Sequence, residues 1–120
     1  LLEALRRTDK ARDELSAAEV RLVNELAQAH ERLSTAHQEV ALLQRDILPG
    51  AQSAFDAATR GFELGKFSFL EVLDAQRTLF QAKSQYLRTL SVAHQSAAEI
   101  ERILGDASPD STLASASAKP

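Results

Sequence analysis

Cysteine, methionine and tryptophan are absent from this chain, and tyrosine occurs once. Without cysteine there is no disulfide, no thiolate chemistry and no cysteine-based zinc site. Five Val, three Ile, five Phe and one Tyr supply few of the side chains that fill strands, which argues against a β-rich fold. The longest wholly apolar run is Val40-Ala41-Leu42-Leu43, too short for a transmembrane helix. No basic segment leads into an apolar stretch in the manner of a signal peptide. Neither sign of charge dominates: the net charge is −3, with acids and bases interleaved, which argues against nucleic acid as a partner.

What the chain does have is helix formers. Ala (21) and Leu (18) make up most of the apolar 44% of its 120 residues, and both favour helix strongly. Long helices packed closely through small residues fit this composition better than a globule with a thick core. Residues 1–48 contain neither Gly nor Pro and read as one helix. At ~1.5 Å per residue it would extend roughly 70 Å. From Leu26 a 3-4 spacing runs through Ala29, Leu33, Ala36, Val40, Leu43 and Ile47, a heptad seam. Upstream the seam degrades, with Arg12 and Glu19 at positions that should be apolar, so the first 25 residues are expected to be exposed or differently packed.

Pro49-Gly50 interrupts the pattern and predicts a kink or an end to the helix. Helical spacing resumes with Ala51, Ala54, Phe55, Ala58 and Phe62. A tip turn is expected over 61–68, with Gly65 in a left-handed conformation. Ser68 is placed to cap the next helix, with Glu71 completing a capping box. The fold class is therefore all-α, a long antiparallel helical hairpin of coiled-coil type: a helix over 1–48, then a Pro-kinked helix, tip turn and returning helix over 49–104. The returning helix carries two apolar faces. One holds Leu73, Phe80, Leu87, Leu90, Ala97 and Leu104; the other holds Ala75, Leu79, Ala82, Tyr86, Thr89, Ala93, Ser96, Ile100 and Ile103. A hairpin needs one such face, so two imply a neighbour on each side. Gly105 is expected to stop the helix, leaving a disordered Ser/Ala-rich tail over 105–120.

The segment Arg60-Gly61-Phe62-Glu63-Leu64-Gly65, followed by Leu73-Asp74-Ala75-Gln76-Arg77-Thr78-Leu79, resembles the tip hairpin of TolC-type outer-membrane efflux channels. Ile47-Leu48-Pro49 and Ala98-Glu99-Ile100-Glu101-Arg102-Ile103-Leu104-Gly105 are similar to the cobalt–zinc–cadmium branch of that family. The resemblance covers about residues 1–105. It implies a periplasmic tunnel segment of a homotrimeric outer-membrane channel, a wall of helices that passively conducts substrates, heavy-metal cations among them. Its implied partners are an inner-membrane pump and a periplasmic adaptor protein, with the outer membrane reached through parts absent from this chain. The sequence opens at Leu1-Leu2-Glu3-Ala4 inside a helical pattern, without Met or cap, so a piece of a longer protein is expected. The alternative is a soluble helical hairpin or coiled coil acting as a scaffold or interaction protein.

The resemblance implies that Glu71 and Asp74 line the pore entrance, where threefold repetition would favour cations. The local alternative is that Glu71 caps its helix and Asp74 sits at the positive end of the helix dipole. Gly61, Phe62, Gly65, Lys66, Phe67 and Phe69 form the tip turn and a candidate adaptor contact. Phe62 stands where the family often has Tyr, so no hydroxyl latch operates through it. The three rings either pack the tip or meet the adaptor, and the two glycines read as backbone requirements. His30 and His37 lie seven residues apart on one helix, ~10 Å, too far to share an ion. His94 would come level with residue 40 in an antiparallel hairpin, but no carboxylate or third His completes a site with His37, so neither a metal site nor a cofactor is expected. No phosphate loop, nucleophile triad or Glu-x-x-His pair occurs, so the chain is not expected to be an enzyme.

Overall fold

The computed structural model describes residues 1–107. Helix α1 runs over Leu2–Leu42, a π-helical turn over Leu43–Ile47, helix α2 over Leu48–Glu63 and helix α3 over Phe69–Ala107, with no strand among the described residues. The protein is an all-α hairpin in which α3 returns antiparallel from a turn after α2. Of the tail expected over 105–120, residues 105–107 are helical and residues 108–120 lie outside the described residues. Contacts divide the described residues into two units, residues 33–95 and residues 1–32 with 96–107.

In the 33–95 unit the interior is lined mainly by small side chains. Ala36, Leu43, Ala51 and Ala58 are buried on one arm, and Leu79, Ala82, Thr89 and Ala93 on the other. Ala51, Leu79 and Ala82 form one cluster, against which Leu48 and Phe55 pack. Alanine loses no rotamer freedom on burial and keeps backbones close. The larger side chains Leu33, Val40, Leu48 and Phe55 are half-buried beside this seam. Polar groups tie the arms together: Gln44 Nε2 donates to Tyr86 Oη at 2.7 Å, and Gln85 Nε2 donates to Glu39 Oε1 at 2.8 Å. The buried Thr89 hydroxyl donates to the Gln85 carbonyl at 2.9 Å, so it carries no desolvation penalty.

Of the two apolar faces on α3, the small-residue one is turned inward. The other is open over Leu73, Phe80 and Leu87, which are 43%, 68% and 64% exposed, while Leu90 and Ala97 on it are half-buried.

Of the two outcomes expected at Pro49, a kink or an end, the helix does not end there. Leu48, directly before the proline, keeps right-handed helical angles (φ −64°, ψ −48°), and the irregularity falls upstream, in the π-helical turn. There the Leu48 N–H donates to the Leu43 carbonyl, five residues back. A wider turn relaxes the crowding that a proline ring imposes on carbonyls of the preceding turn, so helicity continues past Pro49. The extra residue also shifts the seam. Ala29, Ala36 and Leu43 are buried at steps of seven, and the next buried position is Ala51, a step of eight, followed by Ala58 at seven. Ile47, the seventh member of the expected seam, is consequently 41% exposed, and Leu48 packs in its stead.

In the unit of residues 1–32 with 96–107, Ala29, Ser96 and Ile103 are buried. Arg32 Nη2 lies 2.7 Å from Glu99 Oε2, an ion pair half open to solvent. Residues 1–25 are exposed apart from the half-buried Ala18, as expected where the seam degrades. Gly105 does not stop α3, which continues to Ala107. A glycine costs a helix interior only about 1 kcal/mol. Here the buried Ile103 anchors this stretch, and the exposed Arg102–Asp106 pair (3.4 Å) spans Gly105.

Candidate functional site at the hairpin tip

α2 includes residues 61–63, so the turn proper is Leu64–Ser68, shorter than the expected 61–68. Gly65 is the sole described residue with positive φ, at 73°. Around it the Lys66 N–H donates to the Gly61 carbonyl (2.8 Å) and the Gly65 N–H to the Phe62 carbonyl (3.0 Å). These are the two bonds of a Schellman motif, which satisfies carbonyls left unpaired at a helix end.

Aromatic packing closes the turn. A Cβ placed on Gly61 would lie 2.0 Å from Cδ2 of Phe67, so the ring occupies the space that any side chain there would need. Phe62 and Phe69 form a tilted pair with centroids 5.5 Å apart, a geometry worth about 0.5–1.5 kcal/mol beyond area burial. The tip rings therefore pack on the turn and still reach solvent, Phe62 being 45%, Phe67 46% and Phe69 57% exposed. Leu64 and Leu70, which sequence reasoning did not single out, are 65% and 69% exposed beside them. Lys66 is exposed at the apex. The tip thus presents an apolar surface edged by charge.

The two acidic residues differ in what they do. Glu71 Oε2 accepts the Ser68 backbone N–H at 3.0 Å, and the Glu71 N–H donates to the Ser68 carbonyl at 3.1 Å. Its carboxylate thus forms one half of a capping box, while the Glu71 N–H goes to the Ser68 carbonyl and not to the Ser68 hydroxyl. Asp74, one turn further on, is exposed, and its carboxylate has no hydrogen bond or ion pair among the described residues. Its backbone carbonyl accepts from Thr78 Oγ1 at 3.1 Å.

His30, His37 and His94 are all exposed, and no group of three or more His, Cys, Asp or Glu gathers among the described residues. At the π-helical turn the Arg45 guanidinium is held above its ordinary value by its hydrogen bonds to Asp46 and by that carboxylate's charge. No described helix is long and apolar enough to cross a membrane.

Residues 1–106 match the family described as outer membrane efflux protein. Over 105 residues, 88% of this chain, the sequence is 50% identical to the cobalt-zinc-cadmium resistance protein CzcC of Cupriavidus metallidurans. The chain spans 25% of that relative's length. No solved structure matches it.

Proposed function

The chain belongs to the outer membrane efflux protein family, and on that premise we propose that it is the periplasmic tunnel segment of an outer-membrane channel for heavy-metal cations. The channel conducts passively and performs no catalysis; an inner-membrane pump drives transport, and a periplasmic adaptor joins pump to channel. The observation that carries this reading is the 50% identity to CzcC, which extends over nearly the whole hairpin and its tip. The name of that relative suggests cobalt, zinc and cadmium as cargo.

The hairpin's faces support the same reading. With the small-residue face of α3 used inside the hairpin, Leu73, Phe80 and Leu87 remain for a neighbouring helix. A homotrimeric wall of helices would cover them. The apolar tip formed by Gly61, Phe62, Gly65, Lys66, Phe67 and Phe69 is the adaptor contact. Asp74 and Glu71 stand at the entrance, where three copies would form an acidic constriction.

The test is metal tolerance. Deleting the full-length gene should sensitise cells to zinc, cadmium or cobalt, and restoring it should recover tolerance. Restoration of a gene lacking the tip residues 61–69 should not. Unchanged metal tolerance in the deletion strain would remove the cargo assignment, and restoration by the tipless gene would remove the adaptor assignment.

A further inference from the structure

The π-helical turn separates two seams on α2, and both are apolar. In the structure Leu48, Ala51, Phe55 and Ala58 face the hairpin interior. One residue earlier at each step stand Ile47, Gly50, Ala54 and Ala57, and all four are exposed. This second set is the one that an uninterrupted α-helix would continue from Ala36, Val40 and Leu43. Neither set contains a charged or polar residue. The charged and amide residues of α2, Gln52, Asp56, Arg60 and Glu63, lie outside both.

We propose that Leu43–Ile47 is a register switch. When the turn is π-helical, the Leu48 seam packs against α3; when it closes to α-helix, α2 turns by about 100° about its axis, one residue's worth of helix. The Ile47 seam then takes the place of the Leu48 seam. Leu43, the one large side chain fully buried among the described residues, is the fixed point at the start of the turn. Pro49 sets the balance. In a continuous α-helix its ring meets the carbonyl of the preceding turn, so the α state is the minor one. Switching requires two packings that differ modestly in free energy, and two apolar seams on one helix supply the two packings. The rotation would turn the attached tip, including Phe62, relative to α3. This device rests on the helix packing and not on the cargo or partners proposed above.

Cysteine pairs read the register once any cysteine outside these 120 residues is replaced by serine, since the 120 residues contain none. Ala51→Cys with Ala82→Cys reports the π state, because both residues lie in one buried cluster. Gly50→Cys with Ala82→Cys reports the α state, and a side chain at Gly50 meets nothing within 4 Å. The measurement is the rate of disulfide formation under mild oxidation, made in the full-length protein in its cell envelope. The first pair should cross-link fast and the second slowly. Pro49→Ala should speed the second pair at least tenfold.

Deleting Asp46 together with Pro49→Ala restores the seven-residue step to Ala51 in continuous α-helix, so it locks the observed seam. That variant should keep the first cross-link and lose the second. Failure of the second pair to respond to Pro49→Ala would overturn the switch. So would its persistence in the locked variant, or loss of the first pair there. A Gly50–Ala82 product of doubled mass would show that the second seam is an interface between copies, and would overturn it as well. Loss of metal tolerance has no bearing on these rates, so the two proposals fail separately.

Discussion

Gly61 and Phe67 share one space: the ring lies where the glycine's missing side chain would be, with Cδ2 2.0 Å from an ideal Cβ. In the observed register the last turn of α2 and the start of the return are thereby packed against each other across the Gly65 bend. A missing methyl at one position is thus a requirement of an aromatic six residues later.

Gly61→Ala should therefore destabilise the chain by about 1–3 kcal/mol, the usual cost of forcing extra volume into a packed site. Combined with Phe67→Ala the clash disappears, and the helix propensity of alanine, about 1 kcal/mol better than glycine, should recover most of the loss. Urea unfolding of the two single variants and the double variant checks this. Additive losses would mean that the two residues do not interact.

Gly65→Val should cost more than Gly65→Asn. At φ 73° a residue with a side chain pays roughly 1–2 kcal/mol, and asparagine tolerates the region best. Protease cleavage within residues 64–68 should rise in the valine variant first, since the Schellman bonds depend on this conformation.

Glu71 and Asp74 should separate by readout. Glu71→Ala removes the acceptor for the Ser68 N–H and should lower stability by about 0.5–2 kcal/mol, the range for losing a helix cap. Asp74→Asn should leave stability nearly unchanged and weaken block of the full-length channel by divalent cations in planar bilayers. Equal effects of the two variants on block would assign the constriction to both carboxylates.

The open stripe of Leu73, Phe80 and Leu87 predicts that the isolated 120-residue chain self-associates. Light scattering at about 50 µM should give a mass above that of a monomer, since apolar burial yields roughly 25 cal/mol per Å². Phe80→Glu with Leu87→Glu should shift the chain towards monomer. A monomeric mass for the unaltered chain would show that the stripe tolerates water.

Ion pairing should matter little by comparison. Arg32 and Glu99 are 47% and 36% exposed at their side chains, so Glu99→Gln should change stability by less than about 1 kcal/mol, with the difference vanishing in high salt.

Much of this architecture was legible in local chemistry. Helix α1, the Gly65 bend and the Glu71 carboxylate's bond to the Ser68 N–H follow from residues within one or two turns of each other, where backbone hydrogen bonding and side-chain capping act. The exposure of residues 1–25 was likewise visible in Arg12 and Glu19 at seam positions. The tip motif Arg60-Gly61-Phe62-Glu63-Leu64-Gly65 pointed to the family, which the match over residues 1–106 establishes.

Packing settled the rest. Both faces of α3 were apolar, and no local rule says which one an opposing arm will take. Shape decides it, because Ala82, Thr89 and Ala93 allow a close approach that Phe80 and Leu87 would block. The step from Leu43 to Ala51 was also hidden. A heptad count carries the seam to Ile47, and proline chemistry predicts a kink or an end at Pro49; the helix widens by one residue upstream and continues. Each of these local expectations is sound for an isolated helix. The alternative that prevails is the one that buries Leu48, Ala51 and Phe55 against α3, and that gain exists only once the second arm is in place.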